Sequence, residues 1–178
     1  MERVKVVFVG DGLGYRDRFL FAYLFYRSVR ERVILEGGMS SLAEELRVSV
    51  RELSEGLKSL EEKGYIKRVM VNTGGRSFLR EIKLMSRGYD RLKVPKDFLY
   101  AGGSLRARGL LLTLTYYSRP RLLSNGITVK DTFFCLQDIK TEDARNFRTL
   151  RKLIEELERK GMVLVIRRRP YYVVRILG

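Results

Sequence analysis

A pattern of apolar residues ending in a glycine occurs twice in this chain, with a constant offset of 97 residues. Counting from Ser49, leucines follow at spacings of four, four and three, and Gly64 comes after them. These spacings place one apolar stripe along a helix. The second copy carries the matching residues Leu150, Ile154, Leu157 and Gly161. A repeat at a fixed offset predicts two copies of one structural unit.

Residues around the first copy predict where its helices begin. Ser41 with Glu44, and Ser49 with Glu52, form the Ser-x-x-Glu pattern of a helix N-terminus. Gly64 then ends the second helix. We therefore expect two short helices joined by a turn.

Each copy is followed by an apolar segment that predicts a β-hairpin. Residues 65–71 and 77–85 read as antiparallel strands around a turn with two glycines. Residues 162–167 and 171–177 read the same way around the turn 168–170, which is Arg-Arg-Pro. The predicted unit is helix, turn, helix, hairpin.

This order of elements resembles the winged helix, a three-helix DNA-binding fold with a two-stranded wing. Over residues 42–66 the first copy resembles GntR-type and MarR-type regulators. The resemblance implies an α+β fold that is mainly helical, with two winged helix-turn-helix domains in tandem, each of three helices and a hairpin wing. The expected domains are residues 1–86 and 104–178, joined by a linker at 87–103.

The remaining segments complete the two predicted domains. A short strand is expected at 4–9 and a helix at 17–32, and Ser104 can cap a helix that runs to 118. Residues 129–139 are predicted as the second short helix of the C-terminal domain. The helix at 17–32 is apolar nearly all round, which predicts contact with the other domain or a homodimer through Phe19, Phe21, Phe25 and Tyr26.

The charge predicts a polyanionic partner. The chain has 36 basic and 21 acidic residues, a formal net charge of +15 and no histidine. Residues 1–86 hold 16 basic and 12 acidic side chains, whereas residues 87–178 hold 20 and 9. A strongly basic chain is typical of nucleic-acid binders, so we expect double-stranded DNA as the partner and the C-terminal part as the main contact.

The second copy supplies the stronger DNA-binding candidates. Asn146 takes the position of Ser49 as the helix cap, although Thr141-Glu142-Asp143 could cap a longer helix instead. Arginine can bind guanine through two hydrogen bonds or clamp a phosphate. The candidates on and beside this helix are Arg145, Arg148, Thr149, Arg151 and Lys152.

The first copy is the weaker candidate. The resemblance implies that the residues two, three and five places after Ser49 face DNA, which are Arg51, Glu52 and Ser54. Residues 50–63 carry four acidic and three basic side chains, so this helix would repel phosphate in part. We retain only Arg51 and Lys58 as candidates there.

The predicted hairpin tips carry further arginines. Arg167, Arg168 and Arg169 surround the second turn, and Arg76 follows the glycines of the first. Exposed arginines on a hairpin can enter a narrow minor groove or hold its phosphates. Alternation along the last strand predicts that one of Tyr171 and Tyr172 faces inward and the other outward.

Other residues argue against an enzyme. The single cysteine, Cys135, lies among Phe133, Phe134 and Leu136 and is expected to be a buried thiol. No histidine and no cysteine-rich metal motif is present, so we expect no catalytic residue, metal or cofactor. No run is long enough for a membrane span or resembles a signal peptide, which predicts a cytoplasmic, nucleoid-associated protein. Arginine outnumbers lysine 25 to 11, which favours a thermophilic source.

The sequence therefore predicts a double-stranded DNA-binding protein that regulates transcription. A plasmid or viral replication initiator with tandem winged helices is an alternative that uses the same residues. A winged-helix scaffold that binds protein is a second alternative, favoured by the mixed charge of the first copy and opposed by the charge of the whole chain.

Overall fold

A computed structural model describes residues 1–85, 88–100 and 103–178 of the chain. Ser86, Arg87, Ala101 and Gly102 lie outside the described residues, and so does the predicted boundary at 86–87. The helices are α1 Tyr15–Arg27, α2 Gly38–Leu46, α3 Val50–Glu62, α4 Asp97–Tyr100, α5 Leu105–Tyr117 and α6 Phe147–Arg159, with a 3₁₀ helix at Leu136–Ile139. The strands are β1 Arg3–Phe8, β2 Arg32–Ile34, β3 Ile66–Thr73, β4 Arg76–Leu84, β5 Asp90–Pro95, β6 Arg119–Leu122, β7 Thr128–Phe134, β8 Val163–Arg167 and β9 Tyr172–Ile176.

The strands of the described residues form three antiparallel sheets. β1 pairs with β5, β4 lies between β2 and β3, and the C-terminal sheet has the order β6-β7-β9-β8. Both predicted hairpins, β3–β4 and β8–β9, are confirmed. Of the two tyrosines, Tyr171 is exposed just before β9 and Tyr172 is buried at its start, so one faces outward and one inward as predicted.

The prediction of a mainly helical chain with two tandem winged helix-turn-helix domains is wrong. The chain is 40% helix and 32% strand, with six α-helices and three sheets among its described residues, which makes it an α+β fold. Residues 129–139 account for part of the error, because they form β7 and the 3₁₀ helix rather than a short α-helix. Thr128–Phe134 is rich in β-branched and aromatic residues, and it pairs on one side with β6 and on the other with β9.

The predicted linker also contributes strand. Within 87–103, β5 pairs with β1 along its whole length, from Arg3 opposite Pro95 to Phe8 opposite Asp90. Helix α4 follows directly after β5. The division into domains at 1–86 and 104–178 stays a prediction.

The helix that carries the repeat begins and ends at equivalent positions in both copies. α3 and α6 each have 13 residues, and the 97-residue offset places one on the other without a gap. Ser49 accepts a hydrogen bond from the Glu52 amide, and Asn146 accepts one from the Thr149 amide. Both predicted caps are confirmed, as is the cap at Ser104.

One predicted helix start is wrong, and one alternative helix start is excluded. Ser41 lies inside α2, because that helix already begins at Gly38. The longer helix starting near Thr141 does not form, because α6 begins at Phe147. Asp143 instead accepts hydrogen bonds from the amides of Tyr15 and Arg16, at 2.9 and 3.0 Å, and so caps α1.

The apolar helix α1 is covered by this chain itself. It packs mainly against α5, and buried side chains of α1, α3, α5 and α6 belong to one hydrophobic core. Phe19 and Phe21 are 0% and 1% exposed, whereas Phe25 and Tyr26 are half-buried. The reason for expecting a homodimer through this helix is thereby removed.

No helix of the described residues is both long and apolar enough to cross a membrane.

Candidate nucleic-acid interface

Helix α6 presents a basic face to solvent. Its buried residues Leu150, Leu153, Ile154 and Leu157 form the stripe that packs against the core. Helical spacing then places four exposed residues on the opposite face, Arg148, Lys152, Glu155 and Arg159. Arg151 is exposed at the edge of this face. Within the described chain, the three basic residues of the face form no ion pair closer than 4.0 Å.

The equivalent face of α3 is neutralised by its own ion pairs. The positions that match the α6 face are Arg51, Glu55, Lys58 and Glu62. The Arg51 Nε lies 3.0 Å from the Glu55 carboxylate, and the Lys58 Nζ lies 3.8 Å from that of Glu62. Two basic and two acidic side chains leave no net charge, whereas three basic and one acidic side chain give the α6 face a net charge of +2.

The hairpin β8–β9 follows α6 and is held to it by Glu158. The Glu158 carboxylate accepts a hydrogen bond from the Val165 amide at 3.3 Å and lies 3.4 Å from the Arg168 guanidinium. Arg167 stacks on the ring of Tyr171, with its guanidinium carbon 4.1 Å from the ring centroid. Arg167, Arg168 and Arg169 are all exposed, so the turn presents three arginines to solvent.

The first hairpin is anchored in the same way but carries one arginine at its tip. Glu61 accepts hydrogen bonds from the backbone amide of Arg68, at 2.9 Å, and from its guanidinium. The backbone bond and then the side-chain bonds hold the pKa of Glu61 below its ordinary value. At the turn Gly74 and Gly75 have φ angles of 58° and 76°, a conformation that favours glycine, and Arg76 is exposed beside them.

A pocket of about 480 Å³ joins the start of α6 to the β8–β9 turn. We call it the arginine–aromatic pocket, and its main lining residues are Cys135, Phe147, Arg151, Arg168, Arg169 and Tyr171. The fold thus brings together three cations that the sequence placed on two separate elements. Cys135 is exposed at this pocket, so the prediction of a buried thiol is wrong. Alternation along the chain explains this, since Phe134 and Leu136 on either side are the buried residues.

The other predicted DNA-binding residues are accessible to different degrees. Arg145 is exposed just before α6, and its Nε donates to the Glu142 carbonyl at 3.1 Å. Thr149 is half-buried beside the cap. Arg51, Lys58 and Arg76 are exposed in the first copy and its hairpin.

Sequence reasoning missed some members of this surface. Arg159 shares the α6 face, and the spacing of Arg148, Lys152 and Arg159 along one helix already indicated this. Phe147 is 40% exposed and lies under Lys140, whose Nζ is 4.5 Å from the ring centroid. The placement of Lys140 depends on the 3₁₀ helix before it, which the sequence did not reveal.

Comparisons with known proteins give no relative. No family model, no curated protein and no solved structure matches this chain. In the part of the chain that the structure describes, no three cysteine or carboxylate side chains are grouped as metal ligands would be.

Proposed function

We propose that this protein binds double-stranded DNA through α6 and the β8–β9 turn, and that it regulates transcription. The observation that carries the proposal is the unpaired basic face of α6, which adjoins the arginines of the turn through the arginine–aromatic pocket. A solvated helix surface that serves solubility alone would be expected to alternate its charges, as α3 does. The α6 face departs from that pattern.

The dimensions and charge of α6 fit the major groove. An α-helix with its side chains is about 10–12 Å wide, and the major groove of B-DNA is about 12 Å wide. Residues near the N-terminus of such a helix reach base edges, which gives Arg148 and Arg151 that role. Lys152 and Arg159 lie further along the same helix, where they suit contacts with phosphates.

The β8–β9 turn would hold the flanking DNA. Three exposed arginines on a hairpin can contact the phosphates of the adjacent minor groove or enter it where it is narrow. The Glu158 contacts fix the hairpin relative to α6, so both elements would engage one stretch of duplex. Because the cations on the α3 face are paired with carboxylates of the same helix, the first copy would contribute less to DNA affinity. The protein would therefore recognise an asymmetric site.

Titration of a labelled duplex at increasing salt tests the proposal. If six to ten cations meet phosphates, affinity falls by roughly three to five decades between about 50 and 200 mM salt. A shallow salt dependence, or no binding in dilute buffer, would contradict a phosphate-based interface. Anisotropy of the labelled DNA provides the readout.

A further inference from the structure

The arginine–aromatic pocket contains features that groove binding by α6 does not use. Phe147 and Tyr171 are 40% and 37% exposed, and phenylalanine is among the residue types most often buried. A fully paired duplex offers base edges and phosphates to a protein, but it keeps the faces of its bases stacked inside the helix. Contacts of α6 in the groove would therefore leave the faces of these two rings unused.

Each of these rings lies next to a cation. The Arg167 guanidinium carbon is 4.1 Å from the Tyr171 centroid, and the Lys140 Nζ is 4.5 Å from the Phe147 centroid. Arg167 and Lys140 contact the rings from outside the pocket, whereas Arg151, Arg168 and Arg169 line the pocket itself. Proteins that bind unpaired nucleotides combine a positively charged groove with aromatic rings on which the bases stack.

We propose that the arginine–aromatic pocket binds an unpaired base of the DNA held by α6, a proposal that rests on the proposed function. The base stacks on Phe147 or Tyr171, and Arg168 and Arg169 hold the phosphates on either side. An already unpaired base enters without the cost of breaking a base pair. DNA that contains an unpaired base should therefore bind more tightly than the same duplex when fully paired.

The size of this preference follows from stacking. One base on one aromatic ring contributes about 1–3 kcal/mol, which corresponds to about a 5- to 150-fold gain in affinity. We expect a preference in this range for a duplex with a single-base bulge over its fully paired parent. Tyr171→Leu and Phe147→Leu should each reduce the ratio of the two affinities. Phe78→Leu is the matched control, because Phe78 is a similarly exposed ring, 41%, on the other hairpin.

The single cysteine gives a second readout in the unaltered protein. Cys135 is exposed and lines the pocket, so its alkylation by iodoacetamide reports whether the pocket is occupied. Bulged DNA at saturating concentration should slow this alkylation more than paired DNA does. This measurement does not depend on whether the substituted proteins fold.

The outcomes separate the inference from the function on which it rests. Tighter binding of the bulged duplex together with protection of Cys135 supports both. Equal affinity for bulged and paired duplexes, with equal alkylation of Cys135, overturns the inference and leaves duplex binding intact. Failure to bind either DNA overturns the proposed function and the inference with it.

Discussion

Lys152 occupies on α6 the position that Glu55 occupies on α3, and each lies one helical turn after an arginine. On α3 the carboxylate of Glu55 pairs with Arg51 at 3.0 Å. On α6 the ammonium of Lys152 leaves Arg148 without such a partner among the described residues. This exchange and that of Glu62 for Arg159 each make the α6 face more positive by two charges, and the exchange of Lys58 for Glu155 offsets one of them.

Exchanging these two charges should transfer DNA affinity between the helices. Lys152→Glu removes a cation and supplies Arg148 with an acidic partner, so the slope of log affinity against log salt should become shallower by roughly one to two. Glu55→Lys should make the slope steeper, because it adds a cation and also removes the acidic partner of Arg51. Both positions are exposed, and surface pairs such as those of Glu55 with Arg51 and, at 3.9 Å, with Arg16 contribute about 0.2–1 kcal/mol each, so the melting temperatures should change little. Unchanged salt slopes in both variants would contradict the role given to α6.

The crossing of α1 and α5 depends on Gly109. A Cβ at this position would lie 1.8 Å from the carbonyl oxygen of Tyr15, which is backbone and cannot move aside. Gly109→Ala should destabilise the protein by about 1–3 kcal/mol or more, despite the better helix propensity of alanine. Chemical denaturation measures the effect. Gly88→Ala is the control, because no atom lies within 4 Å of the added Cβ there, and a change as large as that of Gly109→Ala would contradict the explanation.

Arg108 links α5 to the end of α2. Its Nη2 donates to the Leu46 carbonyl at 2.7 Å and its Nε to the Gly103 carbonyl at 3.1 Å. Burial lowers the pKa of this guanidinium. Arg108→Met leaves the buried Leu46 carbonyl without a donor, so we expect a loss of about 1–3 kcal/mol. Arg106→Met, on the exposed side of the same helix, should reduce the free energy of unfolding by a smaller amount. Equal losses in the two variants would contradict the role given to Arg108 in linking α5 to α2.

Elements with a complete local pattern could be predicted from the sequence. α3, α6 and both hairpins follow from apolar spacing, a capping side chain and a glycine or proline turn. The pairing of β1 with β5 could not be predicted, because the paired residues lie roughly 80 to 90 positions apart and several other elements separate the two strands along the chain. The cap on α1 shows the same limit, since Gly14 has no side chain and the carboxylate comes from Asp143.

The stability of the first hairpin should depend on pH through Glu61. Because its pKa is lowered in the folded protein, its contribution is present above the ordinary value of 4.5 and is lost as the pH falls through the lower, folded value. Glu61→Gln should therefore be less stable than the wild type at neutral pH, with the difference shrinking in acid. Urea unfolding of both proteins from neutral to acidic pH measures this difference in stability. Glu62→Gln, an exposed neighbour, should show little difference at any pH, and a parallel loss in both variants would contradict this account.

The candidate site could be predicted residue by residue but not as a surface. Charge and the repeat identified the arginines of α6 and of the β8–β9 turn. The arginine–aromatic pocket also needs Cys135 and Phe147, which come together only through β7 and the 3₁₀ helix. The expected α-helix at 129–139 would not place these two residues together.

The most direct test compares two paired substitutions in binding to one duplex, selected from a random pool by the wild-type protein at near-physiological salt. Arg148→Ala with Arg151→Ala should abolish or greatly weaken binding, because it removes two exposed cations that form no ion pair among the described residues, one on the basic face of α6 and one at its edge. Arg51→Ala with Lys58→Ala removes the same formal charge from α3, where both cations are already paired, and should have a smaller effect. Greater damage from the α3 pair, or equal affinity for all three proteins, would contradict the claim that α6 is the principal contact with DNA.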